Sequence, residues 1–155
     1  MKIIDKTVKK AYKNWFPCKE IRTYHYAAAF DGNKMIEFSQ NNPIKTNTKA
    51  YRIGEMFNID AYRIYSYPHA ESALVLQLLN KHKFINPNWK IVVLRINREG
   101  RILLSKPCKN CQKIFDKTNL TKVYWSISKD MFAIKNHIID IPRKYVYKNN
   151  CLPMR

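Results

Sequence analysis

A chain of 155 residues, 46% of them apolar, can bury one core and lies in the size range of a single domain, so residues 1–155 are expected to form one. Lys and Arg number 29 against 11 Asp and Glu, a net charge of +18 that attracts phosphate-bearing partners; lysines scattered over the solvated surface of a Lys-, Asn- and Ile-rich chain would give the same sum. No apolar run reaches the length of a membrane span, the opening Met-Lys-Ile-Ile-Asp-Lys lacks the apolar stretch of a secretory leader, and four cysteines make no disulfide framework, so a reducing, cytoplasmic setting is expected.

Residues 5–14 read as a short basic helix, with Ile4, Val8, Ala11, Tyr12 and Trp15 near helical spacing. Thr23 to Phe30, the turn Asp31-Gly32-Asn33 and Met35 to Phe38 read as a hairpin that Asn41-Asn42-Pro43 ends. Residues 44–66 are a partly helical connection. Pro68 holds Tyr67 extended and suits a first helical turn, which puts His69 and Glu71 at a helix N-terminus; Ala70, Ala73, Leu74, Val75, Leu78 and Leu79 make that helix apolar on more than one side, hence central. Asn86-Pro87-Asn88 breaks the chain, Ile91 to Leu94 form a strand covered on both faces, and Asn97 to Arg101 turn around Gly100.

Pro107 opens a second helix with Cys111, Ile114 and Phe115 on one face and Lys109, Asn110, Gln112 and Lys113 outside. Val123 to Ile127 form a strand. Only Ser128, Lys129 and Asp130 precede the apolar Met131 to Ile134, too few for a parallel crossover, so this fifth strand is expected to be antiparallel. The tail from His137, with Arg143, Lys144, Lys148 and Arg155, shows little pattern. The order implies an α/β sandwich in which two helix N-termini meet.

At that meeting point stand His69-Ala70-Glu71 and Pro107-Cys108-Lys109-Asn110-Cys111. One imidazole and two thiolates are donors that hold zinc tetrahedrally with a fourth position open, and the positive helix ends favour the thiolates. Glu71, two residues past the imidazole, is off that ligand face and free to handle protons. A redox reading of the Cys pair lacks the Trp-Cys start and strand context it needs. Cys18 and Cys151 stand apart as ordinary thiols, and His25, His82 and His137 have no complementary neighbour in sequence. Tyr24, Tyr26, Tyr67 and Trp125 could stack on a base or simply pack.

These motifs, with Lys122-Val123-Tyr124-Trp125-Ser126 after the cysteine helix, resemble the cytidine and deoxycytidylate deaminase superfamily over residues 23–136. The resemblance implies a three-layer cytidine-deaminase-like sandwich with a five-stranded mixed sheet and an antiparallel last strand. It implies that Zn2+ held by His69, Cys108 and Cys111 acidifies a water whose proton Glu71 accepts, before attack on the carbon bearing the exocyclic amine, C4 of cytosine. Asn42, in Asn42-Pro43-Ile44-Lys45-Thr46, takes the place of a substrate-binding Asn, although a turn before Pro43 explains it too, and Ser39-Gln40 stand where family members often carry Gly.

The expected partner is a cytosine-containing nucleotide such as deoxycytidine monophosphate, or a single-stranded nucleic acid, with no membrane and with a homo-oligomer left open. The antiparallel strand resembles the free-nucleoside branch, His in place of Cys resembles the deoxycytidylate branch, and the basic first helix and tail suit a polynucleotide. Two alternatives stay open: adenosine deamination on RNA, and a non-catalytic zinc-stabilised nucleic-acid-binding module, against which Glu71 speaks.

Overall fold

The computed structural model describes residues 2–19, 21, 23–41, 48–59, 69–134 and 137–140. Helix α1 spans Lys2–Lys13. Its Ile3, Ile4, Thr7, Val8, Ala11 and Tyr12 are all buried, and Lys10 and Lys13 sit in the last turn, where positive charge complements the helix dipole. Two long-range bonds fasten this end of the chain. The Tyr12 hydroxyl donates to the Gly100 carbonyl at 2.7 Å, and the Trp15 indole N–H donates to the Asn97 carbonyl at 3.2 Å. Gly100 adopts φ +80°, and a Cβ there would stand 3.2 Å from the Trp15 ring, so the backbone and the close approach both call for glycine.

Strands β1 (Thr23–Asp31) and β2 (Lys34–Gln40) make the expected hairpin, turning at Gly32 with φ +61°. Then come α2 (Thr48–Phe57), α3 (Ala70–His82), β3 (Lys90–Asn97), β4 (Ile102–Leu103), α4 (Lys109–Lys117), β5 (Lys122–Ser128), β6 (Met131–Ile134) and β7 (His137–Asp140). The sheet is mixed, in the order β2-β1-β3-β5-β6-β7, with β4 paired to β3. β3 and β5 are parallel and joined through α4, while β6 returns antiparallel to β5, as the short connection demanded.

The expectation of five strands is corrected by β7, which pairs antiparallel with β6, and by the two-residue β4. Both are too short to show an alternation that can be told from loop. β7 pairs from Ile134↔His137 onward, so a two-residue connection is all that separates it from β6.

Each sheet face carries its own core. On one, α1 packs over Tyr24, Tyr26, Ala28, Phe30, Val92, Leu94 and Ile96. On the other, α2, α3 and α4 pack over Ala27, Ala29, Ile91, Val93, Val123 and Trp125. The alternation along β1 explains the asymmetry: aromatics fill the face under a single helix, while alanines let α3 approach the strand closely. Leu74, Val75, Leu76 and Leu78 are buried around most of α3, the central position its sequence implied. α4 is amphipathic as expected, burying Cys111, Ile114 and Phe115. Its Lys113 and Lys117 donate to the carbonyls of Asn58 and Phe57 at the end of α2, at 3.0 and 2.7 Å.

Candidate metal centre and its surroundings

His69 and Cys108 occupy the same structural position on two different helices. Each is an N-cap with extended backbone, at φ −70°, ψ 164° for His69 and φ −68°, ψ 170° for Cys108. The helix after Pro107 therefore begins two residues later than its sequence implied, at Lys109, with Cys108 outside the first turn. Serine or aspartate normally fills an N-cap because its oxygen accepts an orphan backbone N–H; here the Cys108 sulfur does so, accepting from the Cys111 N–H at 3.5 Å. Cys111 lies one turn in and is buried.

The segment that delivers Cys108 is tied down by a pair of buried serines. The Ser105 hydroxyl donates to the Val93 carbonyl at 2.8 Å and accepts from the Ser126 N–H at 2.9 Å, while the Ser126 hydroxyl donates to the Leu103 carbonyl at 2.6 Å. This bridge joins β3, β4 and β5 beside the cysteine helix. On the other side, the Ser39 hydroxyl of β2 donates to the Ala70 carbonyl and fixes the start of α3.

The convergence that sequence implied is present. His69 Nδ1 lies 3.5 Å from Cys108 Sγ and 3.4 Å from Cys111 Sγ, and the three donor atoms all lie within 4.8 Å of one another. A tetrahedral zinc with Zn–S of about 2.3 Å and Zn–N of about 2.1 Å sets S···N edges near 3.6 Å. The geometry and the donor set therefore fit: this group could hold a metal ion such as zinc.

Electrostatics point the same way. The Cys108 thiol is held down at about 3, chiefly by hydrogen bonding from Cys111, with His69 adding to the effect and burial opposing it. His69 is raised by its hydrogen bond to Cys108. Glu71, in the first turn of α3, is 5% exposed. Burial raises its pKa; a backbone hydrogen bond, the charge on His69 and a hydrogen bond from Cys111 pull the other way.

The structure thus brings His69, Glu71, Cys108 and Cys111 together. Asn42 and Tyr67 lie outside the described residues, as do Pro68, Cys151 and the basic positions of the tail. Asn41, next to Asn42, is committed to the strand end: its side-chain oxygen accepts from the His25 N–H at 2.8 Å. Tyr24 and Tyr26 belong to the α1 face, on the far side of the sheet from the metal centre, so neither can stack on a base bound there. Trp125 is on the near side but packs in the core. His82 packs against Trp89, ring centroids 5.2 Å apart, in keeping with a structural role.

His25 is the residue that sequence reading passed over. It pairs across β1 and β3 with Arg95, and both Arg95 and His69 act electrostatically on it; burial, the largest cause, and these two charges hold its imidazole down at about 4. The available signal was the alternation of His25 with Ala27 and Ala29 on one strand face; the partner Arg95 follows only from register. Among the described residues no helix is long and apolar enough to cross a membrane. No family model, curated protein or solved structure matches the chain.

Proposed function

We propose that this protein is a zinc-dependent hydrolytic deaminase that converts cytosine to uracil in a nucleotide or a single-stranded nucleic acid. The observation that carries the reading is Glu71: a buried carboxyl two residues after His69, under the influence of His69 and Cys111, and outside the donor set. A purely structural zinc has no use for such a group, and burying it costs stability unless function requires it. The topology, with β3 and β5 parallel and β6 antiparallel, accords with a deaminase-like sandwich.

When bound, zinc would supply Lewis acidity, lowering the pKa of a water to about 7. His69, Cys108 and Cys111 would hold it, and the two helix N-termini would favour the negative charge that develops there. Glu71 takes the proton of the water that adds to the carbon bearing the exocyclic amine. It passes that proton to the ring nitrogen, then takes the proton of the hydroxyl now on the carbon and passes it to the departing amine; the C–N bond breaks as the C=O bond forms, and ammonia leaves. Burial raises the basicity of this carboxyl, which suits a group that must both accept and release protons.

The test is ammonia release from cytidine, deoxycytidine, their monophosphates, single strands and transfer RNA by zinc-loaded protein, wild type against Glu71→Gln. Turnover is expected to fall by about 10² to 10⁴ in the variant, the usual worth of general acid–base transfer, with zinc content unchanged. Equal product from both proteins, or none from the wild type on any substrate, removes the assignment and leaves a zinc-stabilised binding module.

A further inference from the structure

Ala27 on β1 pairs with Ser39 on β2, and the Ser39 hydroxyl holds the Ala70 carbonyl, so this layer of the sheet lies under the first residue of α3. One step further along the same face, His25 stands opposite Arg95. That pair lies two residues beyond the layer under Ala70. Its face is the one covered by α2, α3 and α4, because Ala27, Ala29, Ile91 and Val93 alternate with it in that core. The charges of Arg95 and His69 both act on the His25 imidazole, in keeping with this placement.

Arg95 is the unusual member. Its Nε is buried with no acceptor, and its Nη1 has only a long contact, 3.5 Å, to the Leu104 carbonyl. Among the described residues no carboxylate pairs with it. A guanidinium is always charged, and a buried donor of this kind is tolerated when something outside the chain completes it.

We propose that Arg95, steadied by His25, binds a phosphate of the substrate beside the metal centre, so that the preferred substrate is a phosphorylated nucleotide or strand and not a free nucleoside. This rests on the deaminase reading for its substrate and on Arg95 alone for its site. Planar, forked donors match phosphate oxygens, and the His25 ring, carried on the neighbouring strand, limits where the fork can swing. The 5′ phosphate of a free nucleotide and the backbone phosphate of a strand share this chemistry.

The experiment measures kcat/KM of zinc-loaded wild type, Arg95→Gln and Arg95→Lys on deoxycytidine, deoxycytidine monophosphate and a short single-stranded oligonucleotide. It also measures binding of inorganic phosphate to each protein by titration. Arg95→Gln is expected to lower the preference for phosphorylated substrate over nucleoside by about 10- to 100-fold, the range for a hydrogen bond to a charged group, and to weaken phosphate binding in parallel. Arg95→Lys, which keeps the charge without the fork, restores part of both. A loss confined to the monophosphate assigns the 5′ phosphate, and one confined to the oligonucleotide assigns the backbone. Equal losses on all three substrates, or phosphate binding untouched in Arg95→Gln, overturn the proposal. If no protein deaminates anything but Arg95→Gln still loses phosphate and Arg95→Lys recovers part of it, the anion site stands and the deaminase reading falls.

Discussion

Cys108 shows how one residue serves two purposes at this centre. Its sulfur caps α4 and is one of three side chains that could hold a metal ion, and both roles favour the thiolate. The thiol's ordinary value is 9.0 and its value in the fold is about 3, so the anion's contribution to the stability of the metal-free chain is complete above pH 9 and drains away as pH falls toward 3. Metal-free protein treated with an alkylating reagent at about pH 6 should therefore be modified at Cys108, and prior loading with zinc should protect it. Peptide mass spectrometry reads both results; an unmodified Cys108 in the metal-free chain contradicts this picture. The residues of the centre were legible in sequence because their chemistry is scarce and their spacing specific. Arg95 and His25 were not, since an Arg on a strand and a His on another become a pair only once the register of β1 against β3 is known.

At the level of elements, the N-termini of α3 and α4 make the centre, and the turn between β3 and β4 precedes the segment that leads into α4. α1 holds that turn from the opposite face through Tyr12 and Trp15. Gly100→Ala would place a Cβ against the Trp15 ring in a left-handed backbone, and the expected cost is about 1 to 3 kcal/mol, read as a lowered midpoint in denaturant with zinc affinity little changed. An unaltered midpoint would show that the latch does not matter. The long elements were legible from periodicity: the apolar stripe of α1, the hairpin, the all-round burial of α3 and the amphipathic α4. β4 and β7 were not, because two and four residues carry too little pattern and their pairing is decided by neighbours distant in the chain.

Across the whole molecule, the +18 charge and the exposed Lys2, Lys6, Lys9, Lys10 and Lys13 of α1 are a positive field of the sign that the proposed nucleotide or strand substrate would feel. Lysines act here as point charges without base selectivity. Binding of a single-stranded oligonucleotide should therefore weaken steeply with salt, with a log–log slope of about −0.7 for each phosphate neutralised. A flat salt response, measured by fluorescence anisotropy, would confine the charge to a solvated surface. Overall class and the antiparallel return of the strand after β5 could be read from element order and connection lengths, whereas net charge indicates the sign of a partner and leaves its identity to the residues of the site.

The central claim is that His69, Cys108 and Cys111 hold zinc with one position left for water. X-ray absorption at the zinc edge of the loaded protein tests it most directly. The account predicts two sulfur neighbours at about 2.3 Å and two lighter neighbours near 2.0 to 2.1 Å, falling to one sulfur when Cys108 is replaced by serine. Three or four sulfurs, which would draw in Cys18 or Cys151, or no stoichiometric zinc at all, would contradict it.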